Sequence, residues 1–369
     1  MVSVVPGEAQ ASLDAQMERA GAWPERSPWL RAAVAAVPRE GFAPTVLYRW
    51  DGRAYRPVDG TADRRGWADL VYGDPNAAAV TQVTAGLPSS SLSCQAVVVD
   101  MLDSALLEPG HRVLELGTGT GWNAALTTER VGPGRVVSIE WDDAIAAAAR
   151  RRLTAAQVEV RVGDGTAGAP DAAPFDRVIA TYAVDRVPWA WVAQCRPGGR
   201  IVTPWGRLGH VALTVAADHR SATGWMQGLA KFMASRAEPA HTESDFEEIR
   251  AGARPAAEPE LLPVVEPLRT DWHLLFALRV ALPDVRIGTA PDGVTVRLHD
   301  NRDSWATVTP DGTLSQGGPR RLGRELTAAR TAWEQHGRPG VYDYGMTVTP
   351  DTQYVWATDP ETGPRWPSS

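Results

Sequence analysis

Val113-Leu114-Glu115-Leu116, running into Gly117-Thr118-Gly119-Thr120-Gly121, is the stretch that decides the fold. Four strand-forming residues end in three glycines at alternate positions, and an Ala-rich helical stretch, Asn123 to Arg130, follows at once. A strand, a tight glycine turn and a helix in that order bring backbone N–H groups and a helix N-terminus up to a ligand, because glycine has no Cβ to hold it off. Outward from the turn, Arg112 to Leu116, Arg135 to Ile139, Val158 to Val162, Arg177 to Ala180 and Gly199 to Thr203 are short β-rich runs. Ala-rich helical stretches, Asp143 to Leu153 among them, separate them. Such alternation predicts a doubly wound α/β domain whose parallel sheet is covered on both faces.

The turn also satisfies the relaxed dinucleotide pattern, as Gly119-x-Gly121-x-x-Ala124, with Glu140 closing the next strand. Charge separates the candidate ligands. Glu115 at the strand end would repel a pyrophosphate and attract the ammonium of S-adenosylmethionine, which also carries a sulfonium. Glu140 then offers two acceptor oxygens to ribose hydroxyls. Trp141 offers an apolar face to adenine, although a tryptophan taken singly is more often a core residue. The expected cofactor contacts around the turn are Glu115, Gly117, Thr118, Gly119, Gly121, Glu140 and Trp141.

The chain has 369 residues, enough for two or three domains, with 44% hydrophobic and 22% charged residues, which are ordinary globular values. Its net charge of −7 and the lack of a basic run interleaved with aromatics argue against a nucleic-acid partner. Cys94 and Cys195 are the two cysteines, expected to be free thiols in a reducing compartment. Met1 to Ala20 lacks the pattern of a signal peptide and no apolar run is long enough for a membrane span, so a soluble cytoplasmic protein is expected. Fifteen tryptophans are scattered from Trp23 to Trp366, as core anchors would be. His210, His219, His241, His273, His299 and His336 show no paired metal spacing, and no metal site is expected. The acidic run Glu243 to Glu248 reads as a solvated helix face.

Along the chain, Pro28 to Val37 reads as a short amphipathic helix stopped by Pro38. Pro44 to Gly86, punctuated by Gly52, Gly60, Gly66 and Gly73, reads as hairpins and loops. Cys94 to Leu107 has helical periodicity, ended by Pro109-Gly110. Ala251 to Pro267, rich in Pro, Ala and Glu, reads as a linker. A small α+β domain then follows, with a helix around Asp271 to Leu282, strand pairs around Asp292-Gly293 and Asp311-Gly312, and a helix from Arg321 to His336. The expected organisation is 1–92 as an N-terminal region bordering the substrate cleft, 93–250 as the cofactor-binding domain, and 251–369 as linker and C-terminal domain.

Several segments together resemble the protein-L-isoaspartate O-methyltransferase family. They are Val113 to Gly121, Val162-Gly163-Asp164-Gly165, Pro174-Phe175-Asp176, and Gln194-Cys195-Arg196-Pro197-Gly198-Gly199-Arg200 with Pro204 and Gly206, preceded by Val37-Pro38-Arg39 with Phe42 and Pro44. The resemblance covers roughly residues 28 to 235 and implies a Rossmann-like class I methyltransferase sheet. It also implies that Ser93 takes the place of the family's active-site serine. Here Cys94-Gln95 follows, where the family usually has another residue and then proline. On composition alone, Pro88 to Ser93 is a polar turn and helix cap. Ser91 is the second expected substrate contact. By the same resemblance Asp164 and Gly165 meet the adenine edge and Thr181 lies near the methyl-transfer centre, although an Asp-Gly pair also makes a plain turn. Tyr182 and Val184 replace small alanines, which points to altered substrate access at Tyr182.

The resemblance thus implies an S-adenosylmethionine-dependent enzyme that esterifies a carboxylate of a peptide. The long chain, the Ser-rich segment, Tyr72-Gly73-Asp74 and Val80-Thr81-Gln82 are similar to actinobacterial relatives that modify ribosomally made peptides such as lanthipeptides and graspetides. That similarity implies an aspartyl side chain of a cyclised peptide as acceptor, and an aspartimide as the later product. A general isoaspartyl repair enzyme and a catalytically silent cofactor-binding scaffold are the alternatives.

Overall fold

The computed structural model describes residues 6–206, 208–236, 243–255, 258–262, 268 and 270–368. His241 and part of the expected linker lie outside the described residues. The chain divides into two compact units. The first comprises Met1–Ala183, Pro188–Pro204 and Ala212–Ala222, and the second Val184–Val187, Trp205–Val211 and Thr223–Ser369. These divisions do not coincide with the boundaries expected at 92/93 and 250/251.

The first unit opens with α1 (Pro6–Arg19), α2 (Trp29–Ala36), β1 (Val46–Trp50), β2 (Tyr55–Asp59), α3 (Arg64–Tyr72), β3 (Ala79–Thr84) and β4 (Leu87–Leu92). The strands form a four-stranded sheet in the order β2-β1-β3-β4. The helix α3 falls where hairpins and loops alone were expected. Gly66 inside it costs about 1 kcal/mol of helix propensity. Against that, the Asp63 carboxylate caps the Gly66 N–H at 2.8 Å, and the helix buries Trp67, Val71 and Tyr72.

Next come α4 (Gln95–Ser104), β5 (Val113–Leu116), α5 (Trp122–Val131), β6 (Val136–Glu140), α6 (Asp143–Arg152), β7 (Glu159–Val162), β8 (Phe175–Ala180), α7 (Trp189–Gln194) and β9 (Cys195–Trp205). The expected strands and helices of the parallel region are thus present, with β9 longer than its apolar core suggested. β5 pairs in parallel with β6 and β8, β6 with β7, and β8 with β9, giving the order β7-β6-β5-β8-β9. The chain therefore steps outward from β5 in one direction and then returns to the other side of it. Right-handed crossovers put the two sets of connecting helices on opposite faces, which is the doubly wound α/β arrangement. Leu114, Leu116, Val178, Ile179, Ile201 and Val202 are fully buried, as the central strands of such a sheet require. Each buried side chain of this size contributes about 1.5–3 kcal/mol.

The later strands and helices are β10 (Gly209–Val215), β11 (Ala222–Leu229), α8 (Glu243–Gly252), β12 (Glu260–Leu261), α9 (Trp272–Ala281), β13 (Arg286–Thr289), β14 (Val296–His299), β15 (Trp305–Val308), β16 (Thr313–Gly317), α10 (Leu322–Gln335), β17 (Tyr344–Val348), β18 (Gln353–Ala357) and β19 (Arg365–Pro367). Most belong to the second unit, where one antiparallel sheet runs β12-β16-β15-β14-β13 and β19-β18-β17-β11 lie side by side. Both thiols are free, and burial pushes Cys195 up to about 12. Of the fifteen tryptophans, Trp67, Trp122, Trp191, Trp205, Trp305 and Trp356 are buried, fewer than a wholly core role would give. No described helix is long and apolar enough to cross a membrane, and no described cluster of His, Cys, Asp and Glu could hold a metal ion.

Candidate functional site

The sheet order reverses between β5 and β8, and ligands of open α/β sheets bind beyond the carboxyl ends of the strands at such a point. The glycine turn sits there. Gly117, Gly119 and Gly121 have φ of +92°, +53° and +93°, a region that side chains avoid. A Cβ at Gly117 would lie 2.5 Å from Thr181 Oγ1 and 2.9 Å from Tyr182 Cδ1. At Gly119 the nearest atom is the Ser91 carbonyl oxygen, 3.9 Å away, so the middle of the turn faces room that only a missing side chain leaves. Gly121 starts α5 without a side-chain cap, which leaves the first N–H groups of that helix to an anion such as an amino-acid carboxylate.

Glu115 does not face this opening, contrary to the sequence expectation of a direct contact with a cationic ligand. It is 1% exposed, since every residue of β5 is buried. One carboxylate oxygen accepts from Asn123 Nδ2 at 2.8 Å and the other accepts the Ser138 hydroxyl. Ser138 Oγ in turn lies 2.6 Å from Thr118 Oγ1, so Thr118 looks inward as well. Burial raises Glu115 to about 7, the Glu140 charge adds to this, and the hydrogen bonds from Ser138 and Asn123 oppose it. Glu115 is a buried strut beneath the turn, joining β5, β6 and the start of α5. Neither Asn123 nor Ser138 stood out in the sequence, because nothing local marks a partner eight or twenty-three residues away.

Glu140 closes β6 and turns its carboxylate toward the glycines. Its oxygens accept the Gly119 N–H at 2.9 Å and the Asp142 N–H at 3.1 Å. Each oxygen retains lone-pair capacity for a ribose hydroxyl. Trp141 is 53% exposed, so its ring is open to stack rather than core. A glycine cradle, an acidic group with spare acceptors, an exposed aromatic face and an uncapped helix start fit the ribose, adenine and carboxylate of S-adenosylmethionine.

The far wall is built on β8. Thr181 continues the strand, with its N–H on Leu116 O at 2.9 Å and its hydroxyl donating to Gly117 O at 2.5 Å. The hydroxyl clamps the turn rather than standing free. Asp164 bends the chain, accepting Thr166 N at 2.9 Å and Thr166 Oγ1 at 2.7 Å, so the turn-forming role also weighed for it is present. The Tyr182 ring spans the gap, from beside Gly117 to Gly165, where an added Cβ would run into its hydroxyl oxygen. Trp191 Nε1 donates to Gly165 O at 2.8 Å and its ring meets Tyr182 edge-on at 6.3 Å. The ring of Tyr182, expected as a substrate contact, lies against Gly117 and Gly165, two of the expected cofactor contacts.

The serine strand β4 crosses the turn at Ser91, and Ser93 lies roughly 7 Å further along the extended chain. Arg39, from the Val37-Pro38-Arg39 segment, holds that corner. Its guanidinium is 2% exposed, donates from Nη1 to Ser93 O at 2.9 Å and from Nε to Val71 O at 3.1 Å, and stacks 4.6 Å over Trp122. Trp122 Nε1 donates to Val37 O at 2.9 Å, which ties the same segment to the first residue of α5. Burial lowers Arg39 to about 10, so it remains a cation at neutral pH. A buried arginine joining serine corner and glycine helix is a feature that sequence reasoning missed.

The chain is similar to several known proteins. Residues 61–229 match the family described as Protein-L-isoaspartate(D-aspartate) O-methyltransferase. A Protein-L-isoaspartate O-methyltransferase of Hyperthermus butylicus is 34% identical over 193 residues, 49% of this chain and 69% of that protein. Those of Ignicoccus hospitalis and Methylorubrum extorquens are 45% and 38% identical, over 31% and 48% of this chain. The chain spans 56% and 66% of the length of those two relatives. A solved structure named protein-L-isoaspartate O-methyltransferase is similar over 96% of this chain and 100% of its own, at 20% identity and a TM-score of 0.49. The sheet is that of the S-adenosylmethionine-dependent class I methyltransferases, and the chain belongs to the protein-L-isoaspartate O-methyltransferase family.

Proposed function

We propose that this protein is an S-adenosylmethionine-dependent carboxyl O-methyltransferase whose acceptor is an aspartyl or isoaspartyl carboxylate in a peptide. The observation that carries the reading is the crossing of the serine strand over the glycine turn, with Ser91 O 3.9 Å from the Cβ position of Gly119. It supports an acceptor corner and a nucleoside cradle within one cleft. Gly119, Glu140, Trp141, Gly165 and the start of α5 would hold the cofactor, and Ser93 with Ser91 would meet the acceptor. When bound, S-adenosylmethionine supplies a methyl group on a sulfonium, whose C–S bond breaks as the acceptor oxygen bonds to the carbon.

An ionised carboxylate is already a nucleophile, so the residues need to align it and exclude water rather than remove a proton. The Ser93 hydroxyl orients the acceptor as a hydrogen-bond donor without protonating it. The buried Arg39 cation behind Ser93 favours an anion in that corner.

Within this class, the acceptor we favour is an aspartyl side chain of a cyclised ribosomal peptide. Its methyl ester is a better acyl donor than the carboxylate, so the next backbone nitrogen can attack it, lose its proton and displace methanol to close an aspartimide. The second folded unit supports a specialised substrate. The names of the relatives support the isoaspartyl alternative.

The test incubates the protein and a labelled methyl donor with a linear isoaspartyl peptide and a cyclised aspartyl peptide, and follows mass. Gain of a methyl and then loss of methanol on the cyclic peptide supports the tailoring reading. Methylation of the linear peptide alone supports repair. Tight cofactor binding with neither peptide modified would leave a silent scaffold, and tight NAD binding without S-adenosylmethionine binding would overturn the class.

A further inference from the structure

Gln95 opens α4 two residues after Ser93 and is 3% exposed. Among the described residues its amide makes no hydrogen bond, and its nitrogen and oxygen are not sealed from solvent, so the little surface the residue keeps lies at the amide. An amide held in place by a buried stem, with its polar atoms left to water, is free to pair with a ligand group without breaking a bond inside the protein. α4 also begins without a side-chain cap.

The other side of this corner is cationic. Arg39 Nη1 donates to Ser93 O at 2.9 Å, and among the described residues no carboxylate pairs with its guanidinium. Ser93 to Gln95 thus joins a hydroxyl, a buried positive charge and an amide that no protein group pairs among the described residues. The complement is a carboxylate flanked by a peptide group. A carboxylate answers the charge and the hydroxyl, while a peptide N–H and C=O answer the carbonyl and NH2 of Gln95. Proline, which usually holds this position in the resembling family, can do neither.

We infer that Gln95 is a specificity-determining residue, one that hydrogen-bonds the peptide group following the acceptor carboxylate and so selects acceptors embedded in a peptide backbone. This rests on the methyltransferase reading above. The residue does not move the methyl group; it sets which carboxylates are presented.

The test is a two-by-two comparison. The accepted peptide, and the same peptide N-methylated at the bond after the acceptor, are turned over by the wild type and by Gln95→Leu, with cofactor Kd measured by calorimetry. N-methylation is expected to lower wild-type kcat/KM about tenfold, and Gln95→Leu to lower it similarly for the parent peptide. N-methylation should then have no further effect on the variant, and cofactor Kd should be the same throughout. Should Gln95→Leu fail to bind cofactor, Gln95→Pro takes its place, since the first helical position needs no N–H. Equal sensitivity of wild type and variant to N-methylation, or wild-type turnover of the parent peptide by the variant, overturns the inference. Cofactor binding by a wild type that methylates neither peptide overturns the methyltransferase reading instead.

Discussion

Glutamine at position 115 would keep the shape of the buried glutamate beneath the glycine turn and remove its charge. Burial raises this carboxyl from 4.5 to about 7, with the Glu140 charge adding to the effect. The folded protein therefore holds the proton more tightly than the unfolded chain does. Stability linked to this group is fully present below pH 4.5 and is lost as pH rises through about 7. The interval corresponds to about 3 kcal/mol. Glu115→Gln is expected to match the wild type near about pH 4.5 and to exceed it by about 3 kcal/mol at about pH 8.5. For a unit of this size that is a Tm difference of roughly 6–12 °C. Calorimetric unfolding of the ligand-free protein across this range measures it. A wild-type to variant difference that stays constant with pH would show that Glu115 titrates alike in the folded and unfolded chain, and the account of the strut would be wrong.

Ser93→Ala should lower kcat/KM for the peptide about tenfold to a hundredfold and leave cofactor Kd unchanged, and undiminished turnover would remove Ser93 from the acceptor corner. The two turn glycines should separate stability from binding. Gly117→Ala drives a Cβ to 2.5 Å from Thr181 Oγ1 and should cost about 2–3 kcal/mol in urea unfolding. Gly119→Ala meets nothing nearer than 3.9 Å and should cost about 1 kcal/mol while abolishing tight cofactor binding in calorimetry. Trp141→Ala removes a ring that is 53% exposed, so stability should stay within about 0.5 kcal/mol while cofactor affinity falls about tenfold. Unchanged affinity would return Trp141 to an ordinary surface residue.

Local pattern was enough to read the strand, glycine turn and helix from Val113 to Arg130, and the alternation that follows them, because period and turn chemistry depend on near neighbours. It missed α3, where a cap at Asp63 and the burial of Trp67 override Gly66. It also placed Glu115 in the opening. Sequence shows that a carboxylate ends a strand but not which way it turns, and here two partners from other elements draw it inward.

The residue types of the cleft, and hence the kind of ligand it suits, were written in the sequence alone: three alternate glycines, a glutamate at the next strand's end and a serine-rich run upstream. Only tertiary structure decided which of them face one another. The 3.9 Å approach of Ser91 to Gly119, the reach of Arg39 to Ser93 across 54 residues, and the unpaired amide of Gln95 arise from packing between distant segments. Such contacts form once apolar surface has been buried and the backbone has little freedom left, so no local pattern along the chain encodes them.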